Sequence, residues 1–293
     1  MKVGVTIAAY ELATGRARSF GEMLEEAVTA EKQGYDSVWV MDHILIERNG
    51  RRSFAGPEPL TFLSHVAART ERVELGTLVL CAPFRPAAQL AREAKTLQSA
   101  SDGRFLLGIG AGWHQPEFDA FGFPFDHLVS RLEEYVEVLN RLLSSGPQDY
   151  VGHYQVLRRG EVYGDPAPLP WIAASGPRML RLTGRLAGGW NSAWYGADTS
   201  TFRTGLAEVT AALESAGRQR SELAASAGIF VLPGASEDSP GVITGSNEQV
   251  VEALAGYRDA GCDHAILNFA PAPFSQVDSG LSALLAPLLD RLR

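Results

Sequence analysis

Apolar residues along this chain fall into two alternating periods. Short, nearly unbroken runs such as Val73–Leu80 and Phe105–Ile109 lack the every-other-residue polarity of a half-exposed strand, so they suit strands buried on both faces of a parallel sheet. Longer segments between such runs place apolar residues three and four apart, the spacing of one helix face. The unit from Val73 to Pro116 shows both periods most clearly: strand, helix, strand, and then a cluster of glycines.

The remainder repeats this alternation. Predicted strands cover Val3–Ala8, Ser37–Met41, Trp171–Ala174, Gly189–Ser192, Ala225–Leu232 and Ala265–Phe269. Predicted helices cover Phe20–Gln33 (ended by Gly34), Pro57–Arg69, Val129–Leu143, Pro177–Ala187, Asp198–Ala216, a segment capped by Asn247 and running to Ala260, and Leu281–Arg293. Two stretches interrupt the rhythm. Residues 144–169 are polar and punctuated by Pro and Gly, with a short hairpin expected around Gly152 and His153, and 233–245 is a second irregular insertion. The whole predicts one α/β domain over residues 1–293, a (β/α)8 TIM barrel with insertions after strands 4 and 7.

Composition adds limits. With 293 residues, 45% apolar and 20% charged, the chain is an ordinary globular protein with ample length for a large core. No apolar run is long enough for a membrane, and MKVGVTIAAY enters a strand without a basic leader, so the chain reads as cytoplasmic. The net charge of −8 argues against a nucleic-acid surface. Cys81 and Cys262 match no metal spacing and read as buried, reduced thiols.

In a barrel the residues just past each strand share one face, and three groups there carry candidate chemistry. Asp42-His43 ends strand 2; an imidazole there could exchange a proton with a ligand, although strand neighbours point opposite ways and both enter a pocket only if the chain bends. Gly108-Ile-Gly110-Ala-Gly112-Trp113 is not a dinucleotide loop, because Trp113 stands where the third glycine belongs. Its glycines permit close approach to a flat ligand that Trp113 could wall. Ser175-Gly176-Pro177-Arg178 starts a helix and suits an anion, or is simply a start with Ser as N-cap and Pro at the first helical position. There is no GxxxxGK[ST], GxSxG or HExxH, and the six histidines lack metal-ligand spacing.

SVWVMDH at 37–43, ELGTLV at 74–79, GRFLLGIGAGW at 103–113 followed by Glu117 and Phe121-Gly122, and SGPRMLRLTGRLAGGW at 175–190 together resemble the luciferase-like monooxygenase superfamily. Within it they are most similar to the branch that uses the deazaflavin coenzyme F420. The resemblance implies a cofactor ring held against a bulge with a non-prolyl cis peptide at Leu78-Val79. It implies Asp42 on the ring's polar edge, His43 as the catalytic proton donor or acceptor, and Gly110, Ala111, Gly112 and Trp113 along the cofactor. Ser175, Gly176, Pro177 and Arg178 would hold its phosphate, and hydride would move at C5 of F420. The two insertions would form a substrate lid. Phe269, Pro271 and Phe274, in place of basic residues at the late strands, imply an apolar or aromatic small-molecule substrate. Arg48, Arg51, Arg52 or Arg85 would favour the acidic tail of F420. The alternatives are an FMN-dependent monooxygenase of the same superfamily and a non-catalytic ligand-binding barrel. Exposed-looking Leu60, Phe62, Leu63 and Leu97 suggest a homodimer through helices 2 and 3.

Overall fold

The computed structural model describes residues 1–7, 17–48, 51–53, 56–164, 167–235, 241–270 and 280–293. Pro271, Phe274 and the side chains of Arg48, Arg51 and Arg52 lie outside the described portion. Lys2–Thr6 pairs in parallel with Ser37–Val40 on one side and His264–Asn268 on the other. From there the sheet curls both ways. One arm continues to Glu74–Thr77 and Phe105–Leu106, the other through Ala224–Pro233, Gly189–Tyr195 and Trp171–Ala173 to Gly108–Gly110 and Leu80–Cys81. Fully buried strands such as Ser37–Val40 and His264–Asn268 explain the unbroken apolar runs, since helices cover one face and the curl encloses the other.

Several boundaries moved for local reasons. The helix Pro59–Ala67 begins two residues later than its periodicity predicts, because the Glu58 carboxylate accepts from the backbone N–H groups of Leu60 and Thr61 and so fixes the start. The helix Asn247–Asp259 is capped by Ser246, not Asn247. Ser246 Oγ accepts from the Gln249 N–H while the Gln249 side chain accepts from the Ser246 N–H, a reciprocal pair that Asn247 is one residue too late to make. The closing helix is α-helical only over Leu281–Leu285 and then tightens into 3₁₀ turns, where Pro287 lacks an N–H for a longer helix.

Leu60, Phe62, Leu63 and Leu97 are all buried within the chain, so they offer no exposed apolar face for a partner. The helices carrying them need that face for the sheet and for each other. The expected hairpin is present: Gln148–Val151 pairs antiparallel with Val156–Gly160, and its turn is pinned because the Glu134 carboxylate accepts three consecutive N–H groups, from His153, Tyr154 and Gln155. Cys81 and Cys262 are buried free thiols. Among the described residues no helix is long and apolar enough to cross a membrane.

Polar atoms close the end of the sheet opposite the candidate site. Ser37 Oγ lies 2.6 Å from His264 Nε2 and accepts from Trp39 Nε1 at 2.7 Å, with the Trp39 ring packed edge-on to His264. Gly76 is required here: a Cβ would come within 2.1 Å of the Trp39 ring. Burial, with Lys2 and the terminal ammonium adding repulsion, holds the imidazole of His264 down to about 3 from an ordinary 6.5. Between those values the unfolded chain binds a proton that the folded chain refuses. This group's contribution to stability is therefore complete above 6.5 and is lost as pH falls toward 3. Thermal melts should show a midpoint that declines through that window, and His264→Gln should flatten the decline. Equal slopes in the two proteins would remove His264 as its source.

Candidate active site

The carboxyl ends of the parallel strands surround a cavity of about 930 Å³. The chain bend that the Asp42-His43 pair requires is present: the second strand stops at Val40, and Asp42 and His43 both line the cavity. Leu78 and Val79 join them across a cis peptide, at the position the resemblance implies, where Glu74–Thr77 breaks from Leu80–Cys81. Gly110, Ala111, Gly112 and the half-exposed Trp113 form the adjoining wall. On the opposite side Trp190, Trp194 and Tyr195 line the space with Met179 and Leu180, and a second non-prolyl cis peptide stands at Ala193-Trp194. Trp194 stacks on Phe230 at 4.8 Å between ring centres, which fixes its plane.

His43 is held by a residue that sequence reasoning left without a role. Its Nδ1 is 3.1 Å from Glu117 Oε2, while Glu117 Oε1 accepts the N–H groups of Ile44 and, at 3.0 Å, Leu45. Glu117 is 1% exposed and comes from the short helix Gln115–Phe121, directly after the glycine run. Burial alone would raise its carboxyl, but the hydrogen bonds from His43, Leu45 and Ile44 outweigh that and hold it below the usual carboxylate range. The Trp113 ring stands edge-on to His43 at 5.7 Å.

Asp42 is spent on its own scaffold. Its carboxylate accepts from Arg85 through both guanidinium ends, at 2.6 and 3.1 Å, and from the Cys81 N–H at 2.8 Å. Arg85 is therefore an internal partner of Asp42, not a surface cation awaiting an acidic tail. Burial, and then the negative charges of Asp42 and Glu117, push the Cys81 thiol up, so Cys81 presents a neutral thiol to the cavity.

The phosphate segment divides. Ser175 lines the cavity, whereas Gly176, Pro177 and Arg178 do not. Gly176, not Ser175, is the N-cap of Pro177–Leu186, and no side chain caps this helix start. Arg178 is turned outward, bonded to Glu133 and, at 3.0 Å, to Ser130 Oγ. The described residues of 144–169, the hairpin and its flanks, do not line the cavity either. They lie against the helix Leu128–Leu143 through Glu134, and Lys95 Nζ donates to the Val162 carbonyl at 2.7 Å, so this half of the expected lid is packed on the outside of the fold. Residues 236–240 of the other insertion lie outside the described residues. Phe269 is likewise absent from the lining.

The sequence profile of luciferase-like monooxygenases matches residues 1–240. The chain belongs to the luciferase-like monooxygenase family. Among curated relatives, this luciferase-like chain is 36% identical over 182 residues to an F420-dependent glucose-6-phosphate dehydrogenase of Amycolatopsis mediterranei (strain U-32), covering 59% of the chain and 54% of that protein. It is 35% identical over 214 residues to the enzyme of the same name from Nakamurella multipartita, covering 71% of the chain and 62% of that protein. The matches thus span little more than half the length of these relatives. Its fold superposes on an F420-dependent secondary alcohol dehydrogenase, seen with an F420-acetone adduct, with a TM-score of 0.85 at 18% identity, over 100% of this chain and 99% of that one. It also superposes on the EDTA monooxygenase of Chelativorans sp. BNC1 with a TM-score of 0.82 at 15% identity, over 99% and 93%.

Proposed function

We propose that this luciferase-like chain is an oxidoreductase that transfers a hydride between coenzyme F420 and an uncharged, largely apolar or aromatic small molecule. The observation that carries the reading is the cavity itself: His43 on one wall, tryptophans and aliphatic side chains on the other together with uncharged Asn191, Ser192 and Thr204 and the acidic Glu208, and no lysine or arginine among the described lining residues. A phosphorylated sugar would need a cation there to offset the loss of water around its phosphate, so the substrate named for the curated relatives fits this lining poorly. When bound, F420 supplies the hydride-exchanging carbon.

The residues present suit such a cofactor. The uncapped start of Pro177–Leu186 presents free N–H groups, and a Cβ on Gly176 would meet nothing within 4 Å, which leaves room for a phosphate at the helix end. Ser175, Leu78, Val79 and Gly110 to Gly112 would hold the rest by backbone contact, with Trp113 as an outer wall. Arg178 joins the phosphate only by leaving Glu133. His43 would exchange the proton that accompanies the hydride: in oxidation it takes the proton of a substrate hydroxyl, and in reduction it returns one to the carbonyl oxygen.

We also read the curled sheet as a (β/α)8 barrel over residues 1–293. Glu74–Thr77 with Leu80–Cys81, and Phe105–Leu106 with Gly108–Gly110, are each taken as one interrupted strand, which makes eight strands pairing in a ring.

The test is a parallel titration with F420 and with FMN, followed by tryptophan fluorescence, since Trp113, Trp190 and Trp194 all border the cavity. Preferential F420 binding is expected. Preference for FMN moves the chain to the oxygen-using enzymes, and binding of neither leaves a barrel for another ligand.

A further inference from the structure

An imidazole that lines a cavity can act as a base only through a nitrogen that carries no proton, so the protonated nitrogen of His43 decides what it can do. The neighbour at Nδ1 is Glu117 Oε2, 3.1 Å away, and the opposing groups hold that carboxyl in its anionic form. An anionic carboxylate only accepts hydrogen bonds, so the hydrogen between the two residues belongs to Nδ1. We propose that Glu117 is a positioning residue that fixes His43 as its Nδ1–H form, making Nε2 the nitrogen that exchanges a proton with the substrate. The proposal rests on the oxidoreductase reading for its consequence, but not for its geometry.

The arrangement cannot be reproduced by an amide. Glu117 is surrounded by donors on both oxygens: Ile44 and Leu45 N–H groups at Oε1, and His43 Nδ1–H at Oε2. Glutamine offers one acceptor and one donor end. If its oxygen stays with the two backbone N–H groups, its NH2 faces His43 and forces Nδ1 to accept, which moves the proton to Nε2. The opposite orientation points the NH2 at two backbone donors and is disfavoured. Glu117→Gln therefore turns His43 from a base into a ring with its reactive nitrogen already protonated. Among the described residues, the other titratable groups around His43 are engaged elsewhere or neutral. Asp42 is committed to Arg85 and the Cys81 N–H, the Cys81 thiol is neutral, and His114, whose ring lies 6.3 Å away, accepts the Glu47 N–H at Nε2.

The direct test needs neither cofactor nor substrate. Protein with 15N-labelled histidine is examined by NMR at pH 8, with the His43 signals assigned by their loss in His43→Gln. The wild-type ring should be protonated at Nδ1 and bare at Nε2, and Glu117→Gln should reverse that pattern while Glu117→Asp keeps it. A wild-type His43 protonated at Nε2, or one whose tautomer ignores Glu117→Gln, would overturn the proposal. If Glu117→Gln does not fold, the wild-type and Glu117→Asp spectra still decide it. Kinetics supply the second arm: Glu117→Gln should lower kcat by roughly 10² to 10⁴, the range for a lost general acid or base, with KM little changed. It should also move the pH–rate profile to lower pH, which a merely structural role would not do, and Glu117→Asp should retain the parent profile. Failure to bind F420 or FMN would remove the oxidoreductase reading and leave the tautomer measurement intact.

Discussion

His43→Ala should lower turnover by roughly 10² to 10⁴, the range for a lost general acid or base, while leaving cofactor affinity little changed. The asymmetry follows from where the side chain sits. His43 contributes one ring to the cavity wall, edge-on to Trp113, and the contacts expected to hold a cofactor come from other strand ends: Leu78-Val79, the glycine run and Ser175. Losing the imidazole deprives Glu117 Oε2 of its donor, but Oε1 keeps the Ile44 and Leu45 N–H groups, so the loop stays anchored to the helix Gln115–Phe121. The measurement pairs a fluorescence titration with the rate of F420 absorbance change, using whichever alcohol or ketone from a panel the parent enzyme turns over. Unchanged turnover removes His43 from the chemistry. A parallel loss of affinity and rate would instead make it a binding residue.

Most of the framework was legible because burial in parallel sheets writes itself into the chain as apolar runs, and the site followed because the strand ends share one face. What the sequence could not show is which polar groups are spent on each other. Asp42 and Arg85 are 43 residues apart and Arg178 and Glu133 45, so no local spacing pairs them, and the sequence reads Asp42, Arg85 and Arg178 as facing a ligand. Glu117 is separated from His43 by 74 residues, yet its place in the first turn after the glycines was a usable signal. The apolar helix faces misled in the other direction. Leu60, Phe62, Leu63 and Leu97 looked like surface because helix periodicity does not say which apolar positions the sheet and neighbouring helices will cover, and here they cover all four while Thr61, Ser64, Gln89 and Arg92 face outward. The second cis peptide, at Ala193-Trp194, left no trace in composition at all.

Arg85→Met should destabilise the fold by about 3 to 5 kcal/mol, the range for breaking one side of a buried ion pair. The side chains of Arg85 and Asp42 are 11% and 5% exposed, so the pair is not the screened surface type, whose loss costs about 1 kcal/mol or less. Methionine replaces the apolar stem and takes away the two N–H groups that satisfy Asp42. Of Asp42's three hydrogen bonds from Arg85 and Cys81, only that from the Cys81 N–H is left to hold a buried negative charge. A control separates this cause from simple loss of packing. Asp42→Asn should restore most of the stability to Arg85→Met, because an amide oxygen can still accept the Cys81 N–H without carrying charge. Denaturant midpoints of the parent, both single variants and the double variant give the coupling energy directly. A single-variant cost below about 1 kcal/mol, or a double variant as weak as Arg85→Met, would mean that Asp42 holds its place without Arg85. The alternative outcome ties the two neighbouring wall residues to separate supports, Asp42 to Arg85 and His43 to Glu117, so that each can be weakened without moving the other.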